Sequence, residues 1–222
     1  MDDRENGPRQ AGVGNDTGAQ RKASGNGMTP VYARDLPVIE TDRLRLRPIT
    51  RDEDDVAALF AMFREPDVAR YWSAPVMRDA TEARQLIKEI IEEFEDGELH
   101  EWALELRDAP GLIGTCALAH LDFGNRRGEI GFALQRSTWG HGYMSEMLPA
   151  LIDHAFGALG LHRLEADVDP RNAASLRTLE KLGFRVEGHL RERWQVGGEV
   201  QDSVFLGLLA PEWRARGASG AD

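Results

Sequence analysis

Asn172-Ala173-Ala174-Ser175-Leu176-Arg177-Thr178-Leu179-Glu180-Lys181-Leu182-Gly183-Phe184-Arg185-Val186-Glu187-Gly188 is the stretch on which the fold turns. Asn172 belongs to the residue types that cap helix starts through a side-chain oxygen. Leu176, Leu179 and Leu182 then recur at helical spacing and predict one buried stripe. Gly183 supplies the left-handed residue that closes such a helix, with Phe184 folding back onto Leu179. A strand is expected before this helix, over 164–168, and two more after it, near 184–190 and 200–209. Asn172 and Ser175 exceed what a structural helix needs. They are polar groups one turn apart at the carboxyl end of a strand, where ligands collect in open α/β sheets.

Upstream lies a longer helix. Met144, Met147, Leu148, Leu151, Ile152, Ala155, Phe156 and Leu159 fall on one apolar stripe. Pro149, beyond the first turn, removes one ladder bond and is expected to bend it. The helix is entered through Trp139-Gly140-His141-Gly142-Tyr143-Met144-Ser145. Glycines there admit a ligand close to the backbone, and the free N–H groups of a helix start attract anions. The loop lacks the Gly-Lys-Ser/Thr ending of nucleotide triphosphatases. Ser145 also stands where a dinucleotide fingerprint has its third glycine. Two readings remain: a diphosphate held by backbone amides without a metal, or a glycine turn with no ligand.

Three strand-like runs precede the loop, over 102–106, 112–118 and 129–134, with Asp-Ala-Pro-Gly and Asp-Phe-Gly-Asn turns between them. They read as an antiparallel meander. Earlier still, Arg43-Leu44-Arg45-Leu46-Arg47 alternates as a strand that stops at Pro48. Thr50 with Glu53, and Asp79 with Glu82, have the spacing of capping boxes, each ahead of a helical apolar pattern; Gly97 ends the second helix. A meander followed by βαβα units predicts one α/β domain over 35–214, a mixed sheet with helices on both faces.

The 222 residues allow one well-buried domain with an appendage. Residues 1–34 are punctuated by glycine and have no aromatic before Tyr32, so this segment is expected to be disordered, and 215–222 a flexible tail. Met28 is expected to be the biological start. Cys116 is the only cysteine, which excludes an internal disulfide and a cysteine-based zinc site. No run approaches the roughly 20 apolar residues of a membrane span, and the acidic N-terminus is no signal peptide, so a soluble, cytoplasmic protein is expected. A net charge of −11 without a basic stripe argues against nucleic-acid binding and suits a cationic or amine ligand.

With these segments in place the chain resembles the GNAT acyltransferase superfamily, in its RimJ/RimL-like (ribosomal-protein N-acetyltransferase-like) branch. The resemblance rests on Thr41 to Pro48, Glu129-Ile130-Gly131-Phe132, Trp139 to Glu146, and above all Asn172 to Gly188. It implies a mostly antiparallel sheet of about seven strands and acetyl-CoA as co-substrate, with no metal. It sets Trp139, Gly140, His141, Gly142, Tyr143, Met144 and Ser145 around the CoA pyrophosphate, Asn172 on the pantetheine arm and Ser175 near the thiolate. A homodimer is a family-level expectation. Trp139 and Met144 depart from the residues usual at the two ends of the loop, and Met144 is expected to narrow it.

Acyl transfer to an amine needs a neutral nucleophile, a polarised carbonyl and a protonated leaving thiol. Glu129 is the first candidate base, because it alternates with Ile130 and Phe132 and so lies on the opposite face of its strand. Glu187, Glu192 and His120 are rivals, as is proton loss through water. Amides of the 129–134 strand would polarise the carbonyl, and Ser175 would return a proton to sulfur. Cys116 reads as core. Trp72, Trp139 and Trp194 are candidate walls of an acceptor cleft. The expected function is N-acetyl transfer to a primary amine, either a protein N-terminus or a small amine. The alternatives are a non-catalytic acyl-CoA-binding domain, or a transferase for another acyl group or an antibiotic amine.

Overall fold

The structure, a computed structural model, describes residues 36–219; the expectations for residues 1–34 and for Met28 lie outside them. In chain order the elements are β1 (Ile39–Glu40), β2 (Leu44–Pro48), α1 (Glu53–Phe63), α2 (Pro66–Ala69), α3 (Ala80–Asp96), β3 (His100–Leu106), β4 (Leu112–Asp122) and β5 (Arg127–Leu134). After them come α4 (Tyr143–Gly157), β6 (Arg163–Val168), α5 (Ala173–Leu182), β7 (Arg185–Val196), β8 (Glu199–Leu209) and α6 (Ala210–Ser219). Helix α6 carries the chain through part of the segment that sequence reading assigns to a tail.

One sheet runs β1-β2-β3-β4-β5-β6-β8-β7. Its pairs are antiparallel except β5 with β6, which α4 joins as a crossover. It has eight strands among the described residues, against about seven expected. The extra one is β1, whose two residues are too short to show a period.

Strand alternation builds two cores. Trp102, Leu104, Cys116, Leu118 and Ile130 turn to the face covered by α4, α5 and α6, where Met147, Leu148, Leu151 and Ile152 are fully buried. Burying each such side chain contributes about 1.5–3 kcal/mol, so this stripe anchors α4 to the sheet. Ala103, Ala117, Ala119 and Ala133 turn the other way, toward α1, α2 and α3. Small residues on this face leave room for a cavity. Helix α4 continues through Pro149, which cannot donate to the carbonyl of Ser145.

One cap differs from expectation. Helix α1 is entered at Asp52, and Thr50 forms no box with Glu53. Instead the Asp55 carboxylate accepts from the Thr50 amide (2.8 Å) and hydroxyl (3.0 Å), and from both terminal nitrogens of Arg47 (2.7 and 2.8 Å). A carboxylate two residues further along the same turn, carrying a guanidinium with it, takes the place of Glu53. At α3 the expected box forms with one change of partner: Asp79 accepts from Thr81, and Glu82 from the amide of Arg78.

Candidate active site

Strands β5 and β6 pair only at Arg127 with Arg163, Gly128 with Leu164 and Glu129 with Glu165. Beyond Glu129, β5 stays with β4 as far as Leu134, while β6 stays with β8 as far as Val168. The two halves of the sheet part there, and a cavity of about 850 Å³ occupies the gap. Among the described residues, the backbone groups of Ile130 to Leu134 that face away from β4 have no strand opposite them, so they are open to a ligand.

The glycine loop closes one end. Gly140 and Gly142 have φ of +79° and +77°. A Cβ on Gly140 would meet nothing within 4 Å, so the left-handed backbone, and not crowding, is what calls for glycine. The loop delivers the chain into the 15-residue α4, whose first amides have no partner within the helix. Exposed amides and the positive end of the helix dipole converge on the cavity, which suits a phosphate ester.

Of the loop residues expected around an anion, Trp139, Gly140, Gly142, Tyr143, Met144 and Ser145 line the cavity. His141 faces elsewhere. Its ring stacks on Tyr143 at 5.4 Å, and its Nδ1 lies 3.0 Å from the carbonyl of Trp139, to which it can only donate. Trp139 is fixed by an indole N–H bond to the carbonyl of Leu134 (2.9 Å), with Arg136 over its ring. The Met144 side chain is core: 8% exposed, it accepts a thiol contact from Cys116 at 3.9 Å. Its side chain thus belongs to the core beneath α4. Burial pushes the Cys116 thiol far up, in keeping with its reading as core.

At the carboxyl end of β6, Asn172 caps α5 by accepting from the amide of Ser175 (3.2 Å). Its side-chain oxygen is thus engaged, which leaves its NH₂ as the group able to donate to a ligand carbonyl. Ser175 lies one turn in, on the cavity wall.

Glu129 also lines the cavity, at the apex where the strands part. Burial pushes its carboxyl up to about 8, Asp167 and Glu165 add to this, and Arg193 works against it. Its rivals stand apart from the cavity. Glu187 is paired with Arg163, which holds its carboxyl below the usual range. Glu192 sits in a bulge of β7 at φ +54°, and His120 in a bulge of β4 at φ +50°.

The sequence reading misses several lining residues. Glu101, on β3, is the clearest. The apolar run that marks this strand in the sequence starts at Trp102, whereas β3 starts at His100 and alternation sets residue 101 on the same face as Ala103. Burial pushes its carboxyl up to about 7 against a hydrogen bond from Thr115. Asp167 is the second: it accepts from Ser203, from Arg193 (2.7 Å) and from the Trp194 indole (3.3 Å), and so sets Trp194 in the wall. Trp72, Trp139 and Trp194 all line the cavity, as expected. Its acids are Asp67, Glu101, Glu129, Asp167, Asp169 and Asp202, its one arginine Arg171. Four of the six are paired with Arg136, Arg193, Arg171 and His189. Glu101 and Glu129 have no ion pair among the described residues, so they are the acids free to meet a cation.

Comparison with known proteins agrees with this geometry. Residues 43–185 match the family described as Acetyltransferase (GNAT) domain. The uncharacterized N-acetyltransferase YoaA of Bacillus subtilis is 35% identical over 176 residues, covering 79% of this chain and 98% of that protein. Mycobacterium smegmatis RimJ, solved with CoA-disulfide, superposes with a TM-score of 0.72 at 23% identity, over 83% of this chain and 95% of that one. Spermidine N-acetyltransferase from Vibrio cholerae, solved with CoA and spermine, gives 0.69 at 21% identity, over 78% and 99%. The chain belongs to the GNAT acetyltransferase family and is an N-acetyltransferase.

Proposed function

We propose that the enzyme moves an acetyl group from acetyl-CoA directly to a primary amine, a protein N-terminus or a small amine, in the cavity between β5 and β6. The observation that carries this reading is convergence. An amide-lined anion loop, unpaired strand backbone, the buried Glu129 and the Ser175 hydroxyl all border one space.

In this reading the loop and the α4 start hold the pyrophosphate, and Asn172 bonds the pantetheine arm. Free amides of β5 donate to the thioester oxygen as charge develops on it, where fixed donors lower the barrier most. The ionised Glu129 takes a proton from the incoming ammonium, leaving a neutral amine to attack the carbonyl carbon. The C–N bond forms, the C–S bond breaks, and Ser175 returns a proton to sulfur. Glu101 and Glu129, which have no ion pair among the described residues, favour a cationic acceptor.

The test is release of free CoA thiol from acetyl-CoA in the presence of N-terminal peptides, polyamines or aminoglycosides, with products read by mass. Release that depends on one class, with an acetyl group on its amine, is expected. CoA binding without amine-dependent release from any class would defeat the proposal.

A further inference from the structure

The segment Thr41-Asp42-Arg43 is far from the loop in sequence and borders none of the cavity, yet it bonds to the loop and to the first turn of α4. Glu146, in the first turn of α4, accepts from the Thr41 hydroxyl (2.6 Å), the Arg43 amide (2.9 Å) and Arg43 Nε (2.6 Å). The Arg43 guanidinium then reaches past Glu146. Its Nη1 donates to the carbonyl of His141 (3.3 Å), and its carbon lies 5.0 Å from the centre of the Tyr143 ring. The turn bearing Arg43 is itself pinned to the end of β3. Arg107 donates to the Arg43 carbonyl through its amide (2.9 Å) and to the Thr41 carbonyl through its side chain (2.9 Å).

The consequence follows from peptide geometry. In a planar trans peptide the C=O and the next N–H point in opposite directions. A His141 carbonyl held toward Arg43 therefore turns the Gly142 amide away from Arg43. Gly142 borders the cavity and Arg43 does not. The freedom of a left-handed glycine, useful for reaching this conformation, also makes it easy to lose.

We propose that Arg43 is a positioning residue for the cofactor loop, clamped by Glu146 and Thr41, which aims the Gly142 amide at the CoA diphosphate. The proposal rests on the reading of the loop as the CoA site. It acts through the two-pronged guanidinium, one edge on a carboxylate and the other on a carbonyl, a geometry lysine cannot reproduce.

The experiment is calorimetric titration of CoA, and separately of pantetheine, into the full chain and its R43A and R43K variants, with Tm measured for each. Pantetheine lacks the diphosphate. R43A is expected to weaken CoA about tenfold or more, the scale of one lost charge-assisted bond, while pantetheine affinity stays within about twofold. R43K is expected to weaken CoA severalfold, since it keeps the charge and loses the fork. Arg43 is half exposed, so both variants should fold, and R43K stands in where R43A does not. R43A or R43K binding CoA like the unchanged chain overturns the bracing role, as does an equal loss of CoA and pantetheine affinity. Failure of the unchanged chain to bind CoA overturns the loop assignment and this proposal together.

Discussion

Glu129 stands under opposed demands. In the proposed reaction it is ionised, while burial, with Asp167 and Glu165 adding to it, holds its proton up to about pH 8. Linkage turns this into a statement about stability. The folded state keeps a proton that the unfolded chain, near the ordinary carboxylate value of 4.5, has lost. Its contribution is fully present below the unfolded value and disappears as pH rises through about 8. E129Q removes that penalty and should be more stable than the unchanged enzyme above about pH 8, by on the order of 1–3 kcal/mol, with little difference near pH 5. Thermal melts across that range are the check, and a pH-independent difference would count against the burial argument. Strand alternation alone pointed to Glu129. Glu101 was equally open to that reasoning and was lost to a strand boundary set two residues late, a common cost of judging ends by their apolar residues.

Elements with a sustained period were legible, and those without one were not. The α4 stripe and the α5 leucines match buried positions closely, because 3.6-residue spacing leaves one solution for the core face. Strand β1 and helix α2 are too short to carry a period. The entry to α1 failed for a different reason: Thr50 and Glu53 have box spacing, but a local pattern cannot register Arg47 arriving beside Asp55. That clamp ties β2 to α1, and the Asp55 side chain is 4% exposed. D55A leaves Arg47 with Glu105 as its remaining carboxylate and should cost about 2–4 kcal/mol in urea unfolding, less than a fully stranded buried charge. A cost below about 0.5 kcal/mol would place it among ordinary surface changes.

At the scale of the molecule, the decisive feature is where the sheet parts. Nothing in the sequence of β5 or β6 announces that their pairing ends at Glu129 and Glu165, since both continue as good strands against other neighbours. Family resemblance supplied the cofactor, and residue chemistry supplied the loop. Neither could bring Glu101 and Asp167 to the same cavity, because that depends on where the sheet parts and on which residues of the small-residue face border the gap. The result is a carboxylate with a raised proton affinity at the apex of the cleft, on the cavity that the glycine loop also borders. The most direct test is the pH dependence of kcat/KM for the accepted amine, in the enzyme and in E129Q, measured by thiol release. The account predicts activity that rises with pH through about 8 in the unchanged enzyme, and a loss of about 10²-fold or more with that rise abolished in E129Q. An E129Q enzyme that keeps both the rate and the rise near pH 8 would contradict it.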